Sequence, residues 1–164
     1  MKIYKLDQHF GKSSENKLQK ANDKTIDGAI ACLETFYYAF NNRDIKTFRK
    51  LWLDDDLVQL NNPLGGIING IDKIVELYQA IFKGKSNVWV DFNSIVVFEG
   101  QNAITFAGRE TGAFTKEKES LALQIRTTRM LAYSEKEGQW FLIHHHGSID
   151  NAELLDAYQK AVKS

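Results

Sequence analysis

The sequence predicts an α+β fold: a curved antiparallel sheet with helices on one of its faces. Three observations carry this expectation. Apolar residues recur at helical spacing through the first half of the chain, the period changes to two near Val88 and stays there, and short polar connections join the period-two segments. At 164 residues the chain can bury one core and is short for two domains.

Residues 1–24 are polar apart from Ile3-Tyr4-Lys5-Leu6 and are expected to form a loose N-terminal extension. From Thr25 onward, Ile26, Ala29, Ile30, Leu33, Phe36, Tyr37 and Phe40 repeat at helical spacing, with Asp23 or Thr25 as cap and Asn41-Asn42 at the end. Asp44 then caps a short second helix with Ile45, Phe48, Leu51 and Trp52 on its apolar face. Leu57–Leu60 reads as a strand, Asn62-Pro63-Leu64-Gly65-Gly66 as a tight turn, and Ile71–Phe82 as a third helix ended by Gly84. Strands are predicted over Val88–Phe98, Ala103–Gly112, Leu121–Tyr133 and Trp140–Ser148, with a longer loop around Thr115–Glu119. Ala152, Leu155, Tyr158 and Val162 mark a C-terminal helix capped by Ser148 or Asp150. The order of helices and strands places the helices against the sheet formed by the last four strands.

Composition excludes several classes of function. Lys plus Arg equals Asp plus Glu at 21 each, with no long block of one sign, so neither nucleic acid nor an anionic membrane is an expected partner. No apolar run approaches the length of a membrane span and no signal-peptide core opens the chain, so a soluble, cytoplasmic protein is expected. The single cysteine, Cys32, reads as a small core residue. Asp54-Asp55-Asp56 reads as a solvated helix end, since metal-binding loops space their oxygen ligands. The glycines near Gly65 lack the Lys-Ser/Thr of a phosphate loop.

The most distinctive stretch is Gly138-Gln139-Trp140-Phe141-Leu142-Ile143-His144-His145-His146-Gly147-Ser148. At a strict period of two, Trp140, Leu142, His144 and His146 share one face, and Phe141, Ile143 and His145 share the other. Histidines in a covered strand can bind metal, contact a ligand or move a proton, or be satisfied inside the fold. No metal site is predicted: only two of the three share a face, no HExxH is present, and the cysteine is distant. Charge also enters the strands. Arg109-Glu110 and Arg126…Arg129 each straddle the two faces, so at most one of each pair looks inward. A buried guanidinium needs an anion from the protein or from a ligand.

Gly138-Gln139-Trp140 followed by His144-x-His146-x-Ser148, with Thr128-Arg129-Met130, Asn62-Pro63-Leu64-Gly65 and Asn69-Gly70, resembles the association domain of calcium/calmodulin-dependent protein kinase II and its bacterial relatives. That family belongs to the nuclear-transport-factor-2-like superfamily, with ketosteroid isomerase, scytalone dehydratase and the SnoaL-like polyketide cyclases. The resemblance covers about residues 25–148. It implies a cone-shaped, strongly curved mixed or antiparallel sheet wrapped on three N-terminal helices, with residues 149–164 as an added C-terminal helix, and a homodimer formed through the sheet. It also implies a pocket in which Arg109 and Arg129 hold a small carboxylate or an enolate-like oxygen, although the position of a third family arginine carries Gly147.

Tyr37, Trp52 and Asn62 complete the expected ligand-binding set, and no cofactor is expected. The leading expectation is therefore a small-molecule-binding pocket protein. An isomerase, dehydratase or cyclase using His146 or His144 as proton-transfer group is the first alternative, and an assembly module without ligand chemistry the second.

Overall fold

The computed structural model describes residues 1–163 and bears out the switch from helical to extended period. In chain order it contains β1 (Lys2–Leu6), a 3-10 helix (Leu18–Asn22), α1 (Ile26–Asn41), α2 (Ile45–Leu51), β2 (Gln59–Asn61), β3 (Ile67–Asn69), α3 (Ile71–Lys83), β4 (Asn87–Glu99), β5 (Ala103–Lys116), β6 (Glu119–Ser134), β7 (Gln139–Ser148) and α4 (Ala152–Lys163). Local chemistry sets the boundaries. Asp44 Oδ1 accepts from the Thr47 amide at 3.0 Å and starts α2, and that bond holds the Asp44 carboxyl below its usual range. Asn151, rather than Ser148 or Asp150, caps α4 by accepting from the Leu154 amide at 2.8 Å.

The strands form one seven-stranded sheet in the order β1-β4-β5-β6-β7-β2-β3. All neighbours are antiparallel except β2 and β7, which run parallel, so the sheet is mixed. The expected loop around Thr115–Glu119 is instead a tight connection: Thr115 pairs with Ser120 and Lys116 with Glu119, and Glu117 takes a φ of 53° at the turn.

Residues 1–24 are built into the fold instead of forming a loose extension. Lys2–Leu6 pairs along β4 from Glu99 to Ile95, and Phe10, 3 % exposed, exchanges backbone hydrogen bonds of 3.0 and 2.8 Å with Phe92. A five-residue strand with one apolar patch gives little signal alone. Its stability comes from the β4 edge that it completes.

Curvature arises where β4 and β5 approach closely. A side chain at Gly108 would place its Cβ 2.6 Å from the Asn93 carbonyl oxygen, and one at Gly112 would lie 2.0 Å from that of Trp89. Glycine alone permits this contact. Opposite Gly108, β4 carries a bulge between Asn93 and Val96 with Ser94 at a φ of 55°. The helices fill the concave side, where Phe36, Phe48 and Tyr78 meet with centroid separations of 5.4 Å (Phe36–Phe48) and 4.2 Å (Phe48–Tyr78).

A second bulge sets the phase of β7. Leu142 pairs with Leu131 and His144 with Met130, leaving Ile143 as an extra residue. Buried positions therefore run Trp140, Leu142, then His145 and Gly147. This corrects the strict period-two reading: beyond the bulge His145 faces inward, and His144 and His146 face away.

Removing residues 1–10 should bare the β4 edge and the site of Phe10. The expected result is a loss of about 2–4 kcal/mol in urea unfolding, with concentration-dependent light scattering from strand-edge pairing.

Candidate ligand-binding cavity

The phase of three strands determines what the concave side presents. On β5, Glu110 is in step with the buried Ile104, Phe106 and Phe114; on β6, Arg129 is in step with Leu123, Ile125 and Leu131; on β7 the bulge supplies His145. These side chains meet Tyr37 of α1 beneath the helices. Glu110, Arg129 and His145 are 4 %, 1 % and 3 % exposed, and Tyr37 is fully buried.

The four residues form a continuous polar cluster. Arg129 donates from Nη2 to Glu110 Oε1 at 2.7 Å and from Nε to the Tyr37 hydroxyl at 2.9 Å. Its Nη1 contacts His145 Nδ1, and Tyr37 donates its hydroxyl proton to Glu110 Oε1 at 2.7 Å. The guanidinium lies 3.6 Å from the centroid of the Phe36 ring, so an aromatic face covers what the hydrogen bonds leave bare. Burial pushes the Tyr37 hydroxyl well above its ordinary range. Burial also opposes the Arg129 charge, but Tyr37 and Glu110 outweigh it and raise the guanidinium pKa. Burial, then the nearby Arg129, drives His145 well below its ordinary value and keeps the ring neutral.

Above this cluster lies a cavity of about 370 Å³. Glu110, Arg129 and His145 line its floor; Phe36, Phe40, Leu60, Leu123 and Ile125 form apolar walls; Leu64, Tyr158 and Val162 close over it. The α4 roof is held by Gln159, which donates to the Leu64 carbonyl at 2.8 Å, and by Tyr158 packed on Phe114 with centroids 5.3 Å apart. Burial, with Glu110 nearby, pushes the Tyr158 hydroxyl up to about 12. Among the described residues that line the cavity, one fully buried side-chain atom, His145 Nε2, has no hydrogen-bond partner.

The residues expected from sequence separate into three groups. Arg129 and Asn62 line the cavity, and Tyr37 lies behind its floor. Arg109 points to the other side of β5, with its side chain 40 % exposed and 3.9 Å from Asp150, so Arg109 and Arg129 do not converge. Trp52 is buried in a separate groove with Phe141 and Arg49. His144 is half-buried, and His146 is exposed with Nδ1 3.2 Å from Asn61 Nδ2; neither lines the cavity.

Two residues of the floor, Glu110 and His145, were not expected there. The signal for Glu110 was available, since Phe106 and Phe114 lie four residues to either side in the same phase. No group of three or more His, Cys, Asp or Glu among the described residues has the geometry of a metal site, and no described helix is long and apolar enough to cross a membrane.

A family model described as a SnoaL-like domain matches residues 30–151. No curated protein matches the chain. Among solved structures, the chain is similar to a candidate dehydratase of the NTF2-like family from Streptomyces avermitilis, at a TM-score of 0.69 and 16 % identity over 77 % of this chain and 97 % of the other. It is similar to a candidate calcium/calmodulin-dependent protein kinase type II association domain from Thiobacillus denitrificans, at 0.60 and 21 % over 74 % and 94 %. A third, from Caulobacter vibrioides and described as having a cystatin-like fold, superposes at 0.64 with 18 % identity over 87 % and 100 %. At these identities the likeness is one of fold.

Arg129→Met would leave the Glu110 carboxylate buried against Tyr37 alone. Urea unfolding should show a loss of about 3–5 kcal/mol, and adding Glu110→Leu should restore at least about 2 kcal/mol of it.

Stability should also depend on pH through His145. The unfolded chain takes up a proton on this ring below about 6.5, which the folded chain refuses. Stability is therefore complete above that pH and falls as pH drops through it, by up to about 1.4 kcal/mol per unit. His144, held below the same value by burial and His146, adds in the same direction. Thermal melts above and below pH 6.5 check this, and His145→Asn should flatten most of the slope.

Proposed function

The chain belongs to the family of SnoaL-like domains, and from that membership we propose that it is a small-molecule-binding protein whose ligand occupies the cavity above Arg129 and His145. The observation that carries this reading is the cavity itself: apolar walls around a buried, hydrogen-bonded polar floor. Its volume of about 370 Å³ is at the lower end of the range that holds small organic molecules, about 300–1,000 Å³. Among the described residues, side chains of α1, α3, α4 and five strands converge on this space. The ligand's oxygen, as carbonyl, enol or carboxylate, docks at the Arg129 and His145 end, and its apolar body lies against Phe36, Leu123 and Ile125. Arg109 has no part in this contact.

A second reading, of the isomerase or dehydratase type, is favoured by one further feature. A neutral histidine beside a buried arginine can hydrogen-bond to an oxygen on which negative charge develops. The structural similarity to a candidate dehydratase fits that chemistry. In such an enzyme the histidine in contact with substrate is His145, and His144 and His146 are not.

The test is binding of N-phenyl-1-naphthylamine, a neutral dye that brightens in apolar surroundings, together with native mass spectrometry of protein taken directly from expression. Ile125→Phe should fill the cavity and weaken dye binding by about tenfold or more while leaving the fold intact, the size expected when a bound ring loses its site. His144→Ala and His146→Ala should bind as the parent does. Dye binding unchanged by Ile125→Phe, with no retained molecule, would sink the pocket reading and favour the assembly module.

A further inference from the structure

The bulge in β7 also arranges donors on the outer face of the sheet, away from the cavity. With Ile143 set aside, His144 pairs with Met130 and His146 with Thr128, and Met130 faces outward because Arg129 and Leu131 on either side of it are buried. Direct antiparallel partners share a face with Cβ atoms about 5 Å apart, and residues two apart on a strand share it about 7 Å apart. Two imidazoles and one thioether therefore occupy one small patch. His146 and Met130 are exposed and His144 is half-buried, so the patch is open to ions in solution. The rings are near neighbours: after burial, His146 is what lowers the His144 pKa.

The second ring is held from behind. Asn61 on β2, opposite His146 in the parallel pair, places its side-chain amide 3.2 Å from His146 Nδ1, which leaves Nε2 as the end of the ring that meets an incoming ion. The oxygen of that amide is buried and has no partner. A half-turn exchanges the amide oxygen and nitrogen, whereupon Oδ1 accepts from Nδ1–H and the Nε2 lone pair is free. Metal-bound histidines are oriented by an acceptor placed in this way.

Donor chemistry selects the ion. A thioether is a soft, uncharged ligand that suits copper(I), and imidazole accepts copper as readily as zinc. Among the described residues no carboxylate or thiolate completes a group of three with these histidines, so the third donor is the thioether. We propose that His144, His146 and Met130 form a surface site for copper(I), with two imidazole nitrogens and one sulfur as ligands. Asn61 is a positioning residue that touches the His146 ring and not the ion. The site is independent of the cavity, which lies against the other face of the same strands, and binding involves no change of oxidation state.

The experiment titrates the full chain with copper(I), delivered without oxygen as its acetonitrile complex against bicinchoninate as competitor, and separately with zinc. One copper(I) per chain is expected. Met130→Leu, a swap of similar volume at an exposed position, should stay folded and weaken copper(I) about tenfold or more while leaving zinc within about twofold. His146→Ala should weaken copper(I) by about tenfold or more, at least the loss that follows removal of a group behind a ligand. Asn61→Leu should also weaken it, and Asn61→Asp, which keeps an acceptor at Nδ1, should restore it. Copper X-ray absorption should show a sulfur neighbour in the parent that is missing in Met130→Leu. The two other sulfurs are remote: Met1 precedes β1 at the far edge of the sheet, and Cys32 is buried in α1.

Copper(I) surrendered wholly to the competitor overturns the inference. So does an affinity unchanged in Met130→Leu, or a sulfur neighbour that persists in that variant. One ion for every two chains also overturns it, since a donor would then come from a second copy. Equal copper(I) affinity in Asn61→Leu and the parent overturns the positioning role of the amide. The cavity reading stands or falls separately, on dye binding.

Discussion

The ion pair between Arg129 and Glu110 is the constraint on which the rest of the concave side depends. Taking both charges out of water costs several kcal/mol per ion, and attraction repays this only where geometry is good and the remaining donors are used. Here three guanidinium nitrogens find partners on three different elements: Tyr37 on α1, Glu110 on β5 and His145 on β7. The arginine itself belongs to β6, so one group ties three adjacent strands to the first helix. A one-residue slip of any of those strands would turn its contribution to the wrong face and strand a buried charge. The cluster thus specifies register more than it adds stability.

An empty volume next to a buried charge needs a sheet that bends away from its helices. That bend is produced by backbone contact, with Gly108 and Gly112 letting β4 lie on β5 and the bulge at Ser94 taking up the difference in length. Straightened at those points, the sheet would close down on Phe36 and Tyr78, leaving neither cavity nor reason for polar groups beneath it. Curvature and charge therefore depend on each other: the hollow gives the cluster an open space to face, and the cluster keeps the hollow from being filled by an ordinary apolar core.

Most elements were legible in the sequence because burial on one side leaves a period, and the helices and four long strands carry it clearly. So was the rule that only one of Arg109 and Glu110, and only one of Arg126 and Arg129, could be internal. What stayed hidden has identifiable causes. Ile143 is as apolar as its neighbours, so nothing in its identity marks it as the residue that β7 sets aside, and the inward histidine was miscounted as a result. The first strand is too short to show a period and is stabilised by a partner about ninety residues away. Arg109 was expected at the site through a family likeness, although the apolar residues in step with Glu110 point the other way.

The extra residue in β7 also matters for how this chain is compared with others. Counted forward from Trp140 by twos, the inward ring is His144; counted back from Gly147, it is His145. A relative lacking one codon at this point would have a regular strand and still present the same ring to the cavity. Two such chains would differ in length without differing in the ring that faces inward. Equivalent histidines should therefore be numbered from the Gly-Ser end of the strand, and a gap placed anywhere but at Ile143 would set a ring that lines the cavity against one that faces away from it.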